Sequence, residues 1–384
     1  MNIVIIGTAY PLRGGIAHYV GLLCKYLSRR HDVSVVTFKR QYPKLLFPGK
    51  SQEETGDPGI PLESHPWIDS INPWTWLTTG LRVRRMNPDL VIYKFWLPFF
   101  APAYGVIAAI VKWRRTARTL FICDNIIPHE RRPGDRLFTR FAMRFVDLYV
   151  VQSRSVENDL LSLEPAAKYV LQPHPVYEIF GEEFEREVAR KRLHETHPEL
   201  ALSPGESVVL FFGYVRDYKG LDVLLDALPS LLEKRKARVL VVGEFYSDEK
   251  KYREQVERLG IRDHVCFHSS YVPNDEVSLF FSAADVVALP YHSATQSGIV
   301  QIAYNFNRPV VATDVGGLAE VVIHGRTGYI VPPHDPKAFA QALFRFFTEE
   351  RFVEFRKNVL EEKKKYTWDS MVEAIESLAA NSRH

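Results

Sequence analysis

Cysteine is scarce: Cys24, Cys123 and Cys266 are the three in 384 residues, and they lie far apart. An odd, scattered set gives no disulfide framework and no zinc-ligand spacing, and it fits a reducing compartment. Net charge is scarce too. The formal balance of +3 is too small to imply nucleic-acid binding, so no nucleic-acid partner is expected. No CxxC pair and no cluster of carboxylates supplies a metal shell, so neither a metal nor a cofactor is expected. Long apolar runs are nearly missing. The stretch "FWLPFFAPAYGVIAAIVKW" (95–113) is the one to test as a membrane span, but Pro98 and Pro102 interrupt its first half. It reads as a buried helix. The N-terminal "MNIVIIGTAY" has neither a basic region nor a cleavage site and reads as a first strand, not a signal peptide.

What is present fits a globular protein. Hydrophobic residues make up 46% and charged residues 25%, and 384 residues exceed one ordinary core, so two domains are expected. Short apolar runs alternate with helical patterns: "NIVIIG" (2–7), "DVSVVTF" (32–38), "DLVIYKF" (89–95), "TLFICD" (119–124) and "DLYVVQS" (147–153). A second set follows: "SVVLFFG" (207–213), "ARVLVVG" (237–243), "HVCFHSS" (264–270), "DVVALPY" (285–291) and "PVVATD" (309–314). This is the pattern of parallel sheets covered on both faces. Between the sets, Pro173 and Pro175 precede a charged helical stretch, which marks a linker. The fold class is therefore α/β, two doubly wound Rossmann-like domains meeting near residue 177. In such sheets ligands sit beyond the carboxyl ends of the strands, so two facing domains would form a cleft.

The loops at those strand ends carry the chemistry. "FFGYVRDYKG" (211–220) ends a strand on Gly213 and then places Arg216 and Lys219 before a leucine-faced helix. Arg can fork onto two phosphate oxygens and Lys adds a point charge, which points to a diphosphate. Loop cations that are merely solvated are the bland alternative. "YHSATQSGIVQIAY" (291–304) offers the backbone N–H groups of Ser297, Gly298 and Ile299 at a helix start. Thr295, Gln296 and Gln301 there can orient sugar hydroxyls without charge; an N-capping serine is the alternative. "TDVGGLAEVV" adds Gly316, Gly317 and Glu320. In the first half, Gly14 and Gly15 precede a helix without the spacing of a dinucleotide fingerprint. "ICDNIIPHERRPGD" holds Asp124, Asn125, His129 and Glu130, where a carboxylate and an imidazole can bind a sugar or handle a proton. A packing histidine is the competing reading for His129.

These residues resemble the retaining nucleotide-sugar glycosyltransferases of the GT-B fold, in glycosyltransferase family 4. The likeness runs through "GGI", "FGYVRDYKG", "SAADVVALPY", "RPVVATDVGGLAEVV", "HGRTGYIVPP" and "YTWDSM". It implies an N-terminal acceptor domain (1–177) completed by a C-terminal helix at about 367–384, and a nucleotide-sugar donor domain (178–366). It also implies transfer to a glycan or lipid-linked acceptor with retention and without a metal ion. Arg216, Lys219, Asp124 and His129 are the catalytic candidates. Gly14, Gly15, Gly213, Thr295, Gln296, Ser297, Gly298, Ile299, Gln301 and Glu320 are the donor-binding ones. Three positions depart from the family pattern. Tyr214 replaces an Arg, Ala294 and Ile302 replace a pair of Glu, and Asp124–Asn125 replaces a His–Asn. A GT-B epimerase, or a scaffold protein that only binds sugar nucleotides, stays open as an alternative.

Location can also be read. "DRLFTRFAMRFVD" (135–147) spaces Arg136, Arg140 and Arg144 along one helical face, with Leu137, Phe138, Phe141 and Phe145 on the other. "RVRR" (82–85) and "KWRRTAR" (112–118) add basic residues in the same half. The expectation is a cytoplasmic protein, peripheral on the anionic inner face of a cell membrane. A core-facing apolar stripe with solvated arginines is the alternative.

Overall fold

The structure is a computed structural model. It describes residues 1–43, 51–54, 60, 62–113, 117–128, 133–200, 202–203 and 205–381. The chain divides into two compact units, Met1–Pro175 with Tyr366–His384, and Val176–Lys365.

The first unit is built on seven parallel strands: β1 (Asn2–Ile6), β2 (Asp32–Arg40), β3 (Ser64–Asp69), β4 (Leu90–Phe95), β5 (Arg118–Cys123), β6 (Leu148–Val151) and β7 (Tyr169–Leu171). Their order is β3-β2-β1-β4-β5-β6-β7. The central strands are largely buried and mostly apolar, with Lys94 of β4 an exception, because helices cover both faces. The helices are α1 (Gly15–Leu27), α2 (Pro73–Arg85), α3 (Ala101–Lys112), α4 (Asp135–Met143) and α5 (Arg154–Leu163).

The apolar stretch at 95–113 resolves into the end of β4, a short turn and α3, whose Ala101, Tyr104, Ile107, Ala108 and Val111 are buried. Among the described residues no helix is long and apolar enough to cross a membrane. Helix α2 packs on α3, and α3 on α4. Gly105 makes the second contact possible, since a Cβ there would lie 2.6 Å from the ring of Phe141. The apolar side of α4 is consequently split. Phe141 turns to α3, whereas Leu137 is 70% and Phe138 43% exposed. The core-facing stripe therefore does not hold for the first turn of this helix.

The second unit holds α6 (Arg186–Thr196), β8 (Ser207–Phe212), α7 (Leu221–Leu232), β9 (Ala237–Val242), α8 (Glu249–Leu259), β10 (Val265–His268) and α9 (Val277–Ala283). It continues with β11 (Val286–Leu289), α10 (Gly298–Asn305), β12 (Val310–Thr313), α11 (Leu318–Val321), β13 (Gly328–Val331), α12 (Pro336–Thr348) and α13 (Phe352–Glu362). Its six parallel strands run β10-β9-β8-β11-β12-β13. The last helix, α14 (Trp368–Asn381), belongs to the first unit. Its fully buried Trp368 meets Tyr19 edge-on at 5.0 Å and stacks near Tyr26 at 6.0 Å.

Strand order reverses once in each sheet, between β1 and β4 and between β8 and β11. At such a switch point the loops leave in opposite directions and open a crevice at the carboxyl ends.

Candidate functional site

The switch point of the second sheet is framed by the loops after β8 and β11. They are joined directly, because the backbone N–H of His292 donates to the Tyr218 carbonyl at 2.8 Å. Gly213 closes β8 with φ +96°, and an added Cβ there would lie 3.0 Å from Lys219 Nζ and 3.1 Å from Ile299 Cδ1. Lys219 thus folds back over the strand end, beside the start of α10.

It is only 7% exposed. Burial first, and the nearby Arg216 second, push its ammonium down to about 7. Arg216 is half-buried, with its guanidinium 5.1 Å from the Tyr246 ring. Tyr246 in turn stacks on Tyr214 at 4.6 Å. Among the described residues neither the Arg216 guanidinium nor the Lys219 ammonium has a carboxylate partner or a hydrogen bond; Asp217, between them, pairs with Lys251 instead. Two neighbouring cations without counter-charge are costly, the more so for the buried one.

Around them the other expected residues gather. Ser297 caps α10, its Oγ accepting from Ile299 N at 3.2 Å and lying 3.2 Å from Tyr291 Oη. The capping alternative therefore applies to the Ser297 side chain. Gly298 sits against the Tyr177 ring. Thr295 and Gln301 are buried, and the Gln301 Oε1 is an acceptor with no described partner. Gln296 is half-buried.

The loop after β12 locks onto the same segment. Gly317 N donates to the Thr295 carbonyl at 2.9 Å, and Gly316, at φ +51°, leaves no room for a Cβ beside the Ala294 carbonyl. Glu320 stands exposed on α11. Ala294 and Ile302 are both buried.

In the first unit Gly14 caps α1 and Gly15 is its first residue. His18, one turn in, is pushed down to about 4 by burial. Asp124 follows β5, and its Oδ1 accepts from Lys94 Nζ at 2.7 Å. Lys94 is fully buried in β4; it also donates to Gln152 Oε1 at 3.3 Å and lies 3.5 Å from the Tyr19 ring centroid. Burial lowers its pKa, and Asp124 works against that shift. His174, T-stacked on Tyr19 at 4.9 Å, is held to about 3 by burial and then by Lys94. Asn125 Nδ2 donates to the Trp96 carbonyl at 3.4 Å. His129 and Glu130 lie outside the described residues.

Sequence reasoning missed Lys94, Gln152, His18 and His174. A lysine inside "LVIYKF" was the available signal, since an apolar strand rarely carries one without a partner.

Residues 14–174 match the family described as Glycosyl transferase 4-like domain, and residues 206–349 that described as Glycosyl transferases group 1. The D-inositol 3-phosphate glycosyltransferase of Corynebacterium diphtheriae is 30% identical over 320 residues, spanning 77% of this chain and 71% of that protein. The corresponding protein of Corynebacterium glutamicum is 27% identical over 317 residues, spanning 77% and 73%.

Among solved structures, sucrose-phosphate synthase of Thermosynechococcus elongatus superposes with a TM-score of 0.76 at 18% identity, covering 99% of this chain and 98% of that one. Anabaena HepE in complex with UDP and glucose gives a TM-score of 0.71 at 18% identity, covering 99% and 100%. Two Rossmann-like parallel-sheet domains with such neighbours are the GT-B architecture. The chain belongs to the glycosyltransferases with a 4-like N-terminal and a group 1 C-terminal domain, and it is a glycosyl-transferring enzyme.

Proposed function

We propose that the enzyme moves a sugar from a nucleoside-diphosphate sugar to a glycan or lipid-linked acceptor, with retention of anomeric configuration and without a metal ion. The observation that carries this reading is the pair Arg216 and Lys219, which among the described residues lack a counter-charge at the switch point of the second sheet. A diphosphate supplies what they lack. As the bond from the sugar to the diphosphate breaks, its electron pair goes to the leaving phosphate oxygen. The two cations and the helix N-terminus at Ser297–Ile299 would stabilise that charge more in the transition state than before it. The acceptor oxygen bonds to the anomeric carbon on the same face as its proton leaves.

Thr295, Gln296 and Gln301 would orient sugar hydroxyls, and Gly14, Gly15, Gly213 and Glu320 would line the donor's path. His129 would handle the acceptor proton. Asp124 would act from the strand end, fixed by Lys94. An epimerase or a scaffold would use the same cations for binding alone.

Calorimetry with UDP-, GDP- and ADP-sugars tests this, followed by a transfer assay. A bound diphosphate raises the Lys219 value. Below pH 7 the ammonium is already charged, so binding is strongest there, and above pH 7 binding must take up a proton. Affinity should fall as pH rises from 7 towards 10. At pH 8 the measured heat should depend on buffer ionisation, and Lys219→Ala should remove that dependence. Binding without transfer would mean a scaffold, and donor conversion without acceptor would mean an epimerase. No binding by any of the three would end the proposal.

The first unit supports a membrane-bound acceptor. Trp74 (75% exposed) and Leu77 on α2, Trp113 after α3, and Leu137 and Phe138 on α4 stand at the surface of neighbouring helices. Arg82, Arg85, Arg136, Arg140 and Arg144 are exposed on the same helices, and the Arg84 guanidinium lies 5.8 Å from the Trp113 ring. Arg114 and Arg115 lie outside the described residues. Exposed indoles and arginines together fit an anionic headgroup layer, at about 1 kcal/mol per basic residue. The proposed location is the cytoplasmic face of a membrane. The protein should sediment with anionic phospholipid vesicles at low salt and be released as salt screens the attraction. Leu137→Ser with Phe138→Ser should weaken that binding. Protein left in the supernatant at low salt would reduce these arginines to a solvated face.

A further inference from the structure

We propose that His197, Glu199 and His268 of the second unit form a binding site for a divalent zinc-type ion. The site ties the end of α6 to the edge strand β10. Each ligand comes from a different element. His197 ends α6, Glu199 lies in the short turn Pro198–Leu200, and His268 is the last residue of β10. Their ligand atoms all lie within 4.8 Å of one another, and they are the one such group among the described residues.

The spacing separates an ion site from an ordinary hydrogen-bonded cluster. Glu199 Oε1 lies 3.6 Å from His197 Nδ1 and 3.7 Å from His268 Nδ1. Both distances exceed a hydrogen bond. They are close to the separation of about 3.4 Å between ligands of one tetrahedral ion bound at about 2.1 Å.

A second observation is independent of the first. The other nitrogen of His197, Nε2, is 3.0 Å from Glu276 Oε2. A carboxylate on the far nitrogen fixes the tautomer that leaves Nδ1 with a free electron pair, the usual outer support of a metal-bound imidazole. Burial first, and His197 second, lower the His268 pKa. The Phe280 ring backs both imidazoles at 5.6 Å, while the Glu199 side chain is 56% exposed and leaves an entry path. Two nitrogens and one oxygen leave a fourth position for water and suit zinc.

The role is structural. β10 is two strands from β8, roughly 10 Å across the sheet, so the ion is not part of the diphosphate loop. It would hold both ends of segment 269–275, through His268 directly and through Glu276 by way of His197.

The test is titration of metal-stripped, tag-free, full-length protein with zinc chloride, followed by calorimetry and thermal unfolding. One equivalent should bind and raise Tm by several degrees. Cobalt(II) in its place should give the visible absorption of a four-coordinate centre. Glu199→Gln and His268→Gln should each abolish the saturable equivalent, and Glu276→Gln should weaken it 10–100-fold. Because Glu199 is exposed, its variant is expected to fold even where a histidine variant does not. Absence of saturable uptake by the parent protein, or uptake unchanged in Glu199→Gln, overturns the site.

Discussion

Lys219→Ala is expected to lower the rate of sugar transfer by two to three decades, the roughly 2–4 kcal/mol lost when one preorganised charge contact to a developing anion is removed. The same substitution should not harm the fold. The Lys219 ammonium is buried without a carboxylate or hydrogen-bond partner among the described residues, and its folded value of about 7 lies below the unfolded value of 10.5. The free protein therefore loses stability as pH falls from about 10.5 to about 7, and no further below that. Replacing the ammonium by an isosteric apolar chain removes the penalty, so Lys219→Met should stabilise the free enzyme at pH 7 by roughly 1–3 kcal/mol. Activity and stability thus move in opposite directions. Turnover of Lys219→Ala within a few-fold of the parent's would remove the diphosphate clamp. Loss of activity together with a lower Tm in both variants would make Lys219 a packing residue.

Asp124→Ala should act the other way, as a loss of stability of about 3–5 kcal/mol in chemical denaturation. It leaves the Lys94 ammonium fully buried, with Gln152 and the Tyr19 ring as its remaining partners among the described residues. The double variant Asp124→Ala with Lys94→Met should recover most of that loss, because no charge is then stranded. If Asp124→Ala keeps its stability but loses transfer, the carboxylate acts on substrate and not through Lys94. The two carbonyl-end sites differ in this respect. At the switch point of the first sheet the buried cation is paired by the protein itself, whereas the second sheet's two cations have no carboxylate partner among the described residues.

The strands that the sequence pattern did not reveal share one property. β3, β7 and β13 all lie at sheet edges, where a strand has one neighbour and needs less apolar surface. Pro66 inside β3 is tolerated for the same reason. The histidines of the proposed ion site were equally hidden. "HETH" and "HVCFH" each offer a spaced pair, but the fold takes His197 from the first and His268 from the second. Local spacing carries no information about that pairing.

By itself the sequence determined the α/β class, the two sets of apolar strands, the glycine-bounded loops and the family. Strand periodicity and turn chemistry act over a few residues, and those are what these features express. Tertiary structure decided the rest. It determined that Lys219 turns inward over Gly213 while Asp217 beside it pairs with Lys251. It also gave Asp124 to Lys94 and left Leu137 and Phe138 in solvent because Phe141 takes the place against Gly105. Burial and counter-charge depend on contacts between residues far apart in the chain, so the same side chain is a solvated surface group or a high-energy site according to what the fold packs around it.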